Sequence, residues 1–402
     1  MVGKCGLGEY MGNKLVLPQR YLDLRKGNPR NETPFRIGAC LWTINTGDTR
    51  FQLGSRQELK ESQTVQKIAF FKKANDEVAR RAPLFEGVPM GGITGVEGHY
   101  PNEISKENFK DLVAALKGTG LVMSMVTPNL FYTFPRGSFM STDPAERKRA
   151  IQWAKDTIDL AYMYESELGH LPTGVYWPGG EGQSVRFQVD FVRALHLYVN
   201  AVNQVLEYEF SKGGKMKFAF EAKPNEPEAN IILPTSADFL AAMQGLLDSK
   251  YLSRVGVNPE TAHEMLANMS PLNPVALALA LGRLFHYHSN FQDGLKWDMD
   301  LGAPYNMAML EVVHAMKDYG FDGYVGLDMQ ARPESRDVTS VIANSVMNLR
   351  LLEFVEKNLD WGHVEALRNA GTPENVEEFV SLCMAQMLPK VDPKAIFVVG
   401  KK

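Results

Sequence analysis

The chain has 402 residues, of which 45% are apolar and 22% charged, and 43 Lys and Arg stand against 47 Asp and Glu for a formal net charge of −4. This composition excludes collagen-like, disulfide-scaffold and disordered classes. The slightly acidic balance argues against a nonspecific nucleic-acid binder, which needs a basic surface to displace counterions, and it is compatible with clustered carboxylates that hold metal ions.

Short apolar runs then alternate with helical periodicity along the chain. The first strand is predicted at Arg36–Leu41, with helical spacing from Thr64 to Arg81. A second strand is expected over Gly92–Glu97 and a helix over Lys106–Lys117. Leu121–Val126 reads as the third strand. Ser141-Thr-Asp-Pro144 then opens a long helix, with Pro suited to the first turn. Thr173–Trp177 is followed by a helix to about Phe210, and Lys217–Glu221 by one over Ser236–Leu247. Arg254–Val257 precedes helices from Pro259 and Pro274; Leu284–His288 precedes one over Pro304–Tyr319; Tyr324–Asp328 is the eighth strand. Eight strands, most followed by a helix, predict an α/β fold of parallel βαβ units. At this count a closed (β/α)8 TIM barrel fits better than an open doubly wound sheet, and no GxGxxG supports a dinucleotide fold. The expected division is an N-terminal extension over 1–34, a catalytic barrel over 35–337, and a strand-poor helical tail over 338–402 available for subunit contact.

Cys5, Cys40 and Cys383 are far apart and show no CxxC or Cys/His zinc spacing, so they read as reduced, buried thiols. The opening segment MVGKCGLGEYMGNK carries no apolar signal-like stretch. The longest apolar run, Pro274 to Phe285, is broken by Arg283 and falls short of the ~20 residues of a membrane span. A cytoplasmic protein with no membrane or nucleic-acid partner is expected.

In a barrel, chemistry sits at the C-terminal ends of the strands. Those ends are rich here: His99 after strand two, Trp177 and Glu181 after strand four, Glu221 and Lys223 at strand five, Asn258-Pro-Glu260-Thr-Ala-His263 after strand six, His286 and His288 at strand seven, then Trp297-Asp298-Met-Asp300, and Asp328 at strand eight. Glu221 and Lys223 are two apart and share a strand face. Glu260 and His263 are three apart and share a helical turn. Asp298 and Asp300 can chelate one ion from an extended segment. Converging carboxylates repel, and divalent cations remove that cost; carboxylates with imidazole suit Mg²⁺, Mn²⁺ or Co²⁺. Taken singly, each residue has an ordinary reading: Asp298 and Asp300 as loop formers, Glu260 as a first-turn acid, His286 as a core histidine, and Trp42, Phe131 and Trp177 as core aromatics. Their recurrence at consecutive strand ends favours a site.

At these residues the sequence resembles the xylose isomerase family. The segments are Leu41-Trp-Thr43, Val126–Phe131, Trp177-Pro-Gly-Gly-Glu181, Glu221-Ala-Lys-Pro-Asn-Glu-Pro227, Gly256–His263, Leu284-Phe-His286 and Lys296-Trp-Asp-Met-Asp300, in the family's order over roughly residues 35–340. The resemblance implies a (β/α)8 barrel, two divalent metal ions, and aldose–ketose isomerisation of a sugar by a metal-assisted 1,2-hydride shift, usually in a homotetramer; a homo-oligomer, dimer or tetramer, is expected here. By position, Glu221, Glu260, His288 and Asp328 would hold one metal, and Glu260, His263, Asp298 and Asp300 the other, with Asp300 also serving catalysis. Lys223 would contact a sugar oxygen, Trp42, Phe131 and Trp177 would wall the substrate, and His99 would match the ring-opening histidine. Four departures from the family's pattern stand out. Asn102 replaces the Asp that orients that histidine, His288 replaces an Asp ligand, Gln330 replaces a basic residue, and the stretch before His99 is long. They point to a divergent branch with a different sugar, and with no Arg/Lys cluster suited to phosphate in the sequence an unphosphorylated one is expected. The alternative is an epimerase or lyase on a keto-sugar, with Glu221 abstracting a proton. A non-enzymatic sugar-binding barrel is the third reading.

Overall fold

The computed structural model describes residues 29–44, 59–60, 63–131, 133–134, 136–179, 181–226, 228–292, 298–301, 307–331 and 337–389. Cys5, most of the 1–34 extension, Trp297, the start of the helix expected from Pro304, and the last residues of the tail lie outside them.

Eight short strands are built from β-branched, aromatic and glycine residues: β1 (Arg36–Cys40), β2 (Gly95–Tyr100), β3 (Val122–Pro128), β4 (Thr173–Tyr176), β5 (Phe218–Phe220), β6 (Val255–Val257), β7 (Tyr287–His288) and β8 (Tyr324–Leu327). Nearly all of their residues are buried, as parallel strands covered on both faces require. They pair in parallel in the order β6-β5-β4-β3-β2-β1-β8-β7. A parallel bridge from Val257 to Leu284, with Val257 N donating to Arg283 O and Phe285 N to Val257 O, joins the two ends. The sheet is thus the expected TIM barrel. A two-stranded antiparallel ribbon, Gly182–Gln183 with Asn230–Ile231, links the loops after β4 and β5.

The outer layer follows the predicted helices: α1 (Thr64–Arg81), α2 (Phe109–Thr119), α3 (Pro144–Leu168), α4 (Phe191–Ser211), α5 (Ser236–Leu246), α6 (Thr261–Leu266), α7 (Leu272–Ala280) and α8 (Met307–Asp318). Local chemistry sets their ends. Asp143 accepts from Ala145 N with Pro144 in the first turn, Thr235 and Asp238 form a capping box, and Gly120 and Gly169 close α2 and α3 in the left-handed region.

Two boundaries differ from expectation. The strand expected over Gly92–Glu97 begins at Gly95 because the Asn75 amide bonds both the N–H and the carbonyl of Ile93, taking that residue out of the ladder. Glu97 is therefore mid-strand and His99 near the strand's end. Second, α9 (Val338–Asn358), placed by the sequence in the tail, is the helix that follows the eighth strand and packs in the outer layer. It packs on α1 and α8 and buries more than half its residues. It is long and apolar enough to cross a membrane, but two-thirds of that window is buried against the barrel. Only α10 (Trp361–Ala370) and α11 (Pro373–Met387) form the appended helical region among the described residues.

Candidate active site

The C-terminal rim gathers side chains from β5 to β8. Ligand atoms of Glu221, Glu260, His288 and Asp328 lie within 4.8 Å of one another, and those of Glu260, His263 and Asp298 form a second group sharing Glu260. His288 Nδ1 is 3.0 Å from Glu221 Oε2, 3.3 Å from Glu260 Oε2 and 3.4 Å from Asp328 Oδ2. His263 Nε2 is 3.1 Å from Glu260 Oε1 and 3.4 Å from Asp298 Oδ1. The i, i+3 spacing of Glu260 and His263 does what helical geometry requires, at the start of α6.

Asp300, expected as a ligand, is set apart from the other candidate ligands. Among the described residues it belongs to neither group. Met299 is pinned to Phe291 on one side and Gln330 on the other, so the segment runs along the rim. In extended chain, two residues advance about 7 Å, and only Asp298 is at the cluster. Gln330 contributes through its backbone: its N–H donates to Asp298 O at 2.7 Å.

The electrostatics show how crowded the acids are. Burial, reinforced by Asp298, Asp328 and Glu221, pushes the Glu260 carboxyl well above its ordinary range. Burial lifts Asp328 to about 7, with Glu221 and Asp298 adding to the rise and His288 opposing it. Glu221 goes the other way, because His288, His263 and Lys223 outweigh its burial. Burial works against a charged His288, but Glu221, Glu260 and Glu97 raise it well above the usual imidazole value. Burial and Lys223 hold His263 low, in the neutral form that ligates metals.

These residues fit a divalent cation. Both ring nitrogens of buried His263 and Asp298 Oδ1 make no hydrogen bond, although carboxylate oxygens surround them. Oxygen donors with one or two imidazoles suit Mn²⁺, Co²⁺ or Mg²⁺. Two asparagines that sequence reasoning assigned no role orient the carboxylates. Asn258 Nδ2 donates to Glu221 Oε2 at 2.7 Å, and Asn290 Nδ2 to Glu260 Oε1 and Asp328 O, each at 2.6 Å.

Beside the acids stands a row of rings. Trp42 and His99 have centroids 4.1 Å apart, His99 and Phe131 5.6 Å, Phe131 and Trp177 4.5 Å. Trp42 Nε1 donates to Asp328 Oδ1 at 2.6 Å, tying the wall to the ligands. Lys223 Nζ sits 5.7 Å over the Trp177 ring and 2.9 Å from Asp298 Oδ2; Asp298 raises its pKa against burial.

The carboxylate that orients His99 is not supplied from position 102. Glu103, fully buried, places Oε2 3.3 Å from His99 Nδ1 and pairs through Oε1 with buried Lys67 at 3.0 Å. The His99–Glu103 spacing of four was the available signal. Glu181 proves to be a loop staple: it accepts from Ser138 Oγ and from the backbone N–H groups of Ser138, Phe139 and Met140, and burial lifts it to about 7.

Fold and rim together define a parallel (β/α)8 barrel with an acidic, imidazole-bearing centre suited to divalent cations. Over residues 88–348 the chain matches the xylose isomerase-like TIM barrel family, and it belongs to that family. Solved structures similar to it include a D-tagatose 3-epimerase-like protein (15% identity, TM-score 0.54, covering 79% of this chain and 98% of that one). Others are a 3-keto-D-glucoside 4-epimerase from E. coli (14%, 0.53, 79% and 99%) and the D-psicose 3-epimerase of Clostridium cellulolyticum H10 with D-tagatose (14%, 0.54, 79% and 99%). At such identities the likeness is one of fold.

Proposed function

We propose that the chain is a divalent-cation-dependent sugar epimerase that inverts a carbon beside the carbonyl of an unphosphorylated keto-sugar. The observation that carries this reading is the convergence of Glu221, Glu260, His288 and Asp328, from the ends of four successive strands, within 4.8 Å beside the aromatic row. A cation held by these four residues would polarise the carbonyl and an adjacent hydroxyl. Glu221, kept ionised by His288, His263 and Lys223, takes the proton from carbon. Its Oε2 accepts from Asn258, which leaves Oε1 for that proton. Asp328, three strands further round the rim, is another carboxyl at the cluster and, in its protonated form, returns a proton to the opposite face of the resulting enediolate. Trp42 occupies Asp328 Oδ1, so Oδ2 faces the cluster. Trp42, Phe131 and Trp177 cover the apolar faces of the sugar and exclude water. The Lys223 ammonium is already paired with Asp298 and Glu226, which favours a neutral sugar over a phosphate. The fold likeness to ketose and keto-glucoside epimerases and an epimerase-like protein supports the reading.

A second reading, aldose–ketose isomerisation by hydride shift, is favoured by the second group at Glu260, His263 and Asp298. A panel of ketoses and aldoses in D₂O, with Mn²⁺, Co²⁺ and Mg²⁺ in turn, separates the two. Epimerisation by proton transfer places solvent deuterium on the inverted carbon. Aldose–ketose conversion without solvent label overturns the epimerase in favour of the isomerase.

A further inference from the structure

Beneath the rim, inside the barrel, Glu97 of β2 is fully buried. Its Oε1 lies 3.2 Å from His286 Nε2 and its Oε2 3.0 Å from His288 Nε2. The Cys40 thiol, 3.5 Å from Oε2, is a third donor. The barrel makes room for this carboxylate. Gly38 of β1 and Gly326 of β8 are register partners, and a Cβ on either would collide with Glu97 Oε1. The β2–β3 ladder also slips between Val96 and Glu97, an irregularity of the kind that re-aims a side chain.

An ionised carboxylate only accepts hydrogen bonds, so the ring nitrogens that face it carry hydrogens. His286 fits this: its Nδ1 makes no hydrogen bond. For His288 the consequence reaches the rim. With hydrogen on Nε2, its other nitrogen, Nδ1, is the one turned toward Glu221, Glu260 and Asp328. Without a cation, Nδ1 faces these carboxylates as a proton donor; a divalent ion bound there takes that proton's place and meets the lone pair.

We propose that Glu97 is a positioning residue for the cation site. By accepting the Nε2–H of His288, it fixes the ring's orientation and tautomer so that the Nδ1 lone pair meets the cation. Its negative charge also makes that nitrogen a stronger donor. This rests on the reading above that the rim holds a divalent cation.

The test uses Co²⁺ with the full-length protein. Glu97→Gln keeps the shape but offers a single acceptor oxygen, so one imidazole must turn or change tautomer. It is expected to weaken Co²⁺ binding about 10- to 100-fold, by competition with a chromophoric chelator, and to shift the Co²⁺ ligand-field bands. Cys40→Ala, which removes only the thiol donor, should stay within about threefold of wild type. A second measurement needs no change at 97: in ¹⁵N-histidine-labelled protein loaded with Zn²⁺, the resonance lost in His288→Ala should show hydrogen on Nε2 and metal on Nδ1. Wild-type Co²⁺ affinity and bands in Glu97→Gln, or metal on Nε2, overturn the proposal while leaving the cation site intact. If wild-type protein binds no Co²⁺ through His288, the cation reading fails, and this inference with it.

Discussion

The two ends of the barrel use the same charged residues to opposite ends. At the N-terminal end, each buried carboxylate meets its own cations. Arg30 Nη2 is 2.8 Å from both Glu356 oxygens, Lys317 Nζ is 2.7 Å from Glu353 Oε1, and Arg350 Nη1 is 2.6 Å from Glu353 Oε2. The Phe35 backbone N–H completes Glu353 at 2.8 Å. These groups border a cavity of about 340 Å³, and each of these charges meets an opposite one. At the C-terminal rim, Glu260 has three carboxylates raising its pKa, against imidazoles, Lys223 and the Asn290 amide among the described residues. Buried charge alone does not mark a site. What distinguishes the rim is the deficit of cations, which is what a divalent ion remedies.

The largest expected effect exploits that deficit. Glu260→Gln keeps the contacts to Asn290 but removes a charge from the centre of both groups. Turnover should fall by about 10³-fold or more, as loss of a ligand and of transition-state charge stabilisation requires. The cation-free protein should be at least as thermostable as wild type, since a crowded buried carboxylate has gone. Calorimetry in EDTA alongside the assay checks both signs. A variant that is active, or that loses stability in EDTA, breaks the contrast between the two ends.

The reciprocal change is Glu353→Gln. It leaves Lys317 and Arg350 buried without their shared anion, and breaking a buried pair costs about 3–5 kcal/mol. Urea unfolding should show that loss, while turnover per folded molecule and divalent-ion affinity stay at wild-type values. A change in either would mean that the lower network reaches the rim.

How far these features were legible in the sequence follows from what is local. The helix over Thr64–Arg81 and the start at Pro144 were readable because periodicity and an Asp-Pro start are carried by neighbouring residues. Glu221, Glu260, His263, His288, Asp298 and Asp328 were readable as a set because polar residues at the ends of apolar runs are rare enough to notice. Glu97 was not. In parallel strands buried on both faces, a side chain inside the barrel cannot be told from one facing the helices, and its partners His286 and His288 are far away in sequence. Arithmetic would have recovered α9: eight strand–helix units need an eighth helix after β8, and the chain supplied it at Val338. Asp300 stands outside both groups because i, i+2 spacing fixes a shared face but not where along the rim the segment runs.

The smallest effect concerns protons. The Asp328 carboxyl is raised from the ordinary Asp range, near ~4, to about 7 in the fold. A carboxyl raised on folding contributes stability below its unfolded value and loses it as pH climbs through the folded one. In the cation-free protein, that contribution therefore disappears between roughly pH 4 and pH 7. Asp328→Asn lacks this loss, so its melting temperature relative to wild type should rise across the interval, by about 2 °C or more. Glu97 and Asp298 are held low by their partners and lose stability toward acid instead; they are present in both proteins and largely cancel in the difference. Adding Mn²⁺ reverses the trend for wild type, because the ion takes the place of protons at Asp328, Glu260 and His288 and binds more tightly as pH rises. Its stabilisation should be larger at pH 8 than at pH 6 and much smaller in Asp328→Asn. A difference in melting temperature that is flat with pH would show that Asp328 is not charge-crowded, and the contrast between the rim and the fully compensated lower end would lose one of its groups.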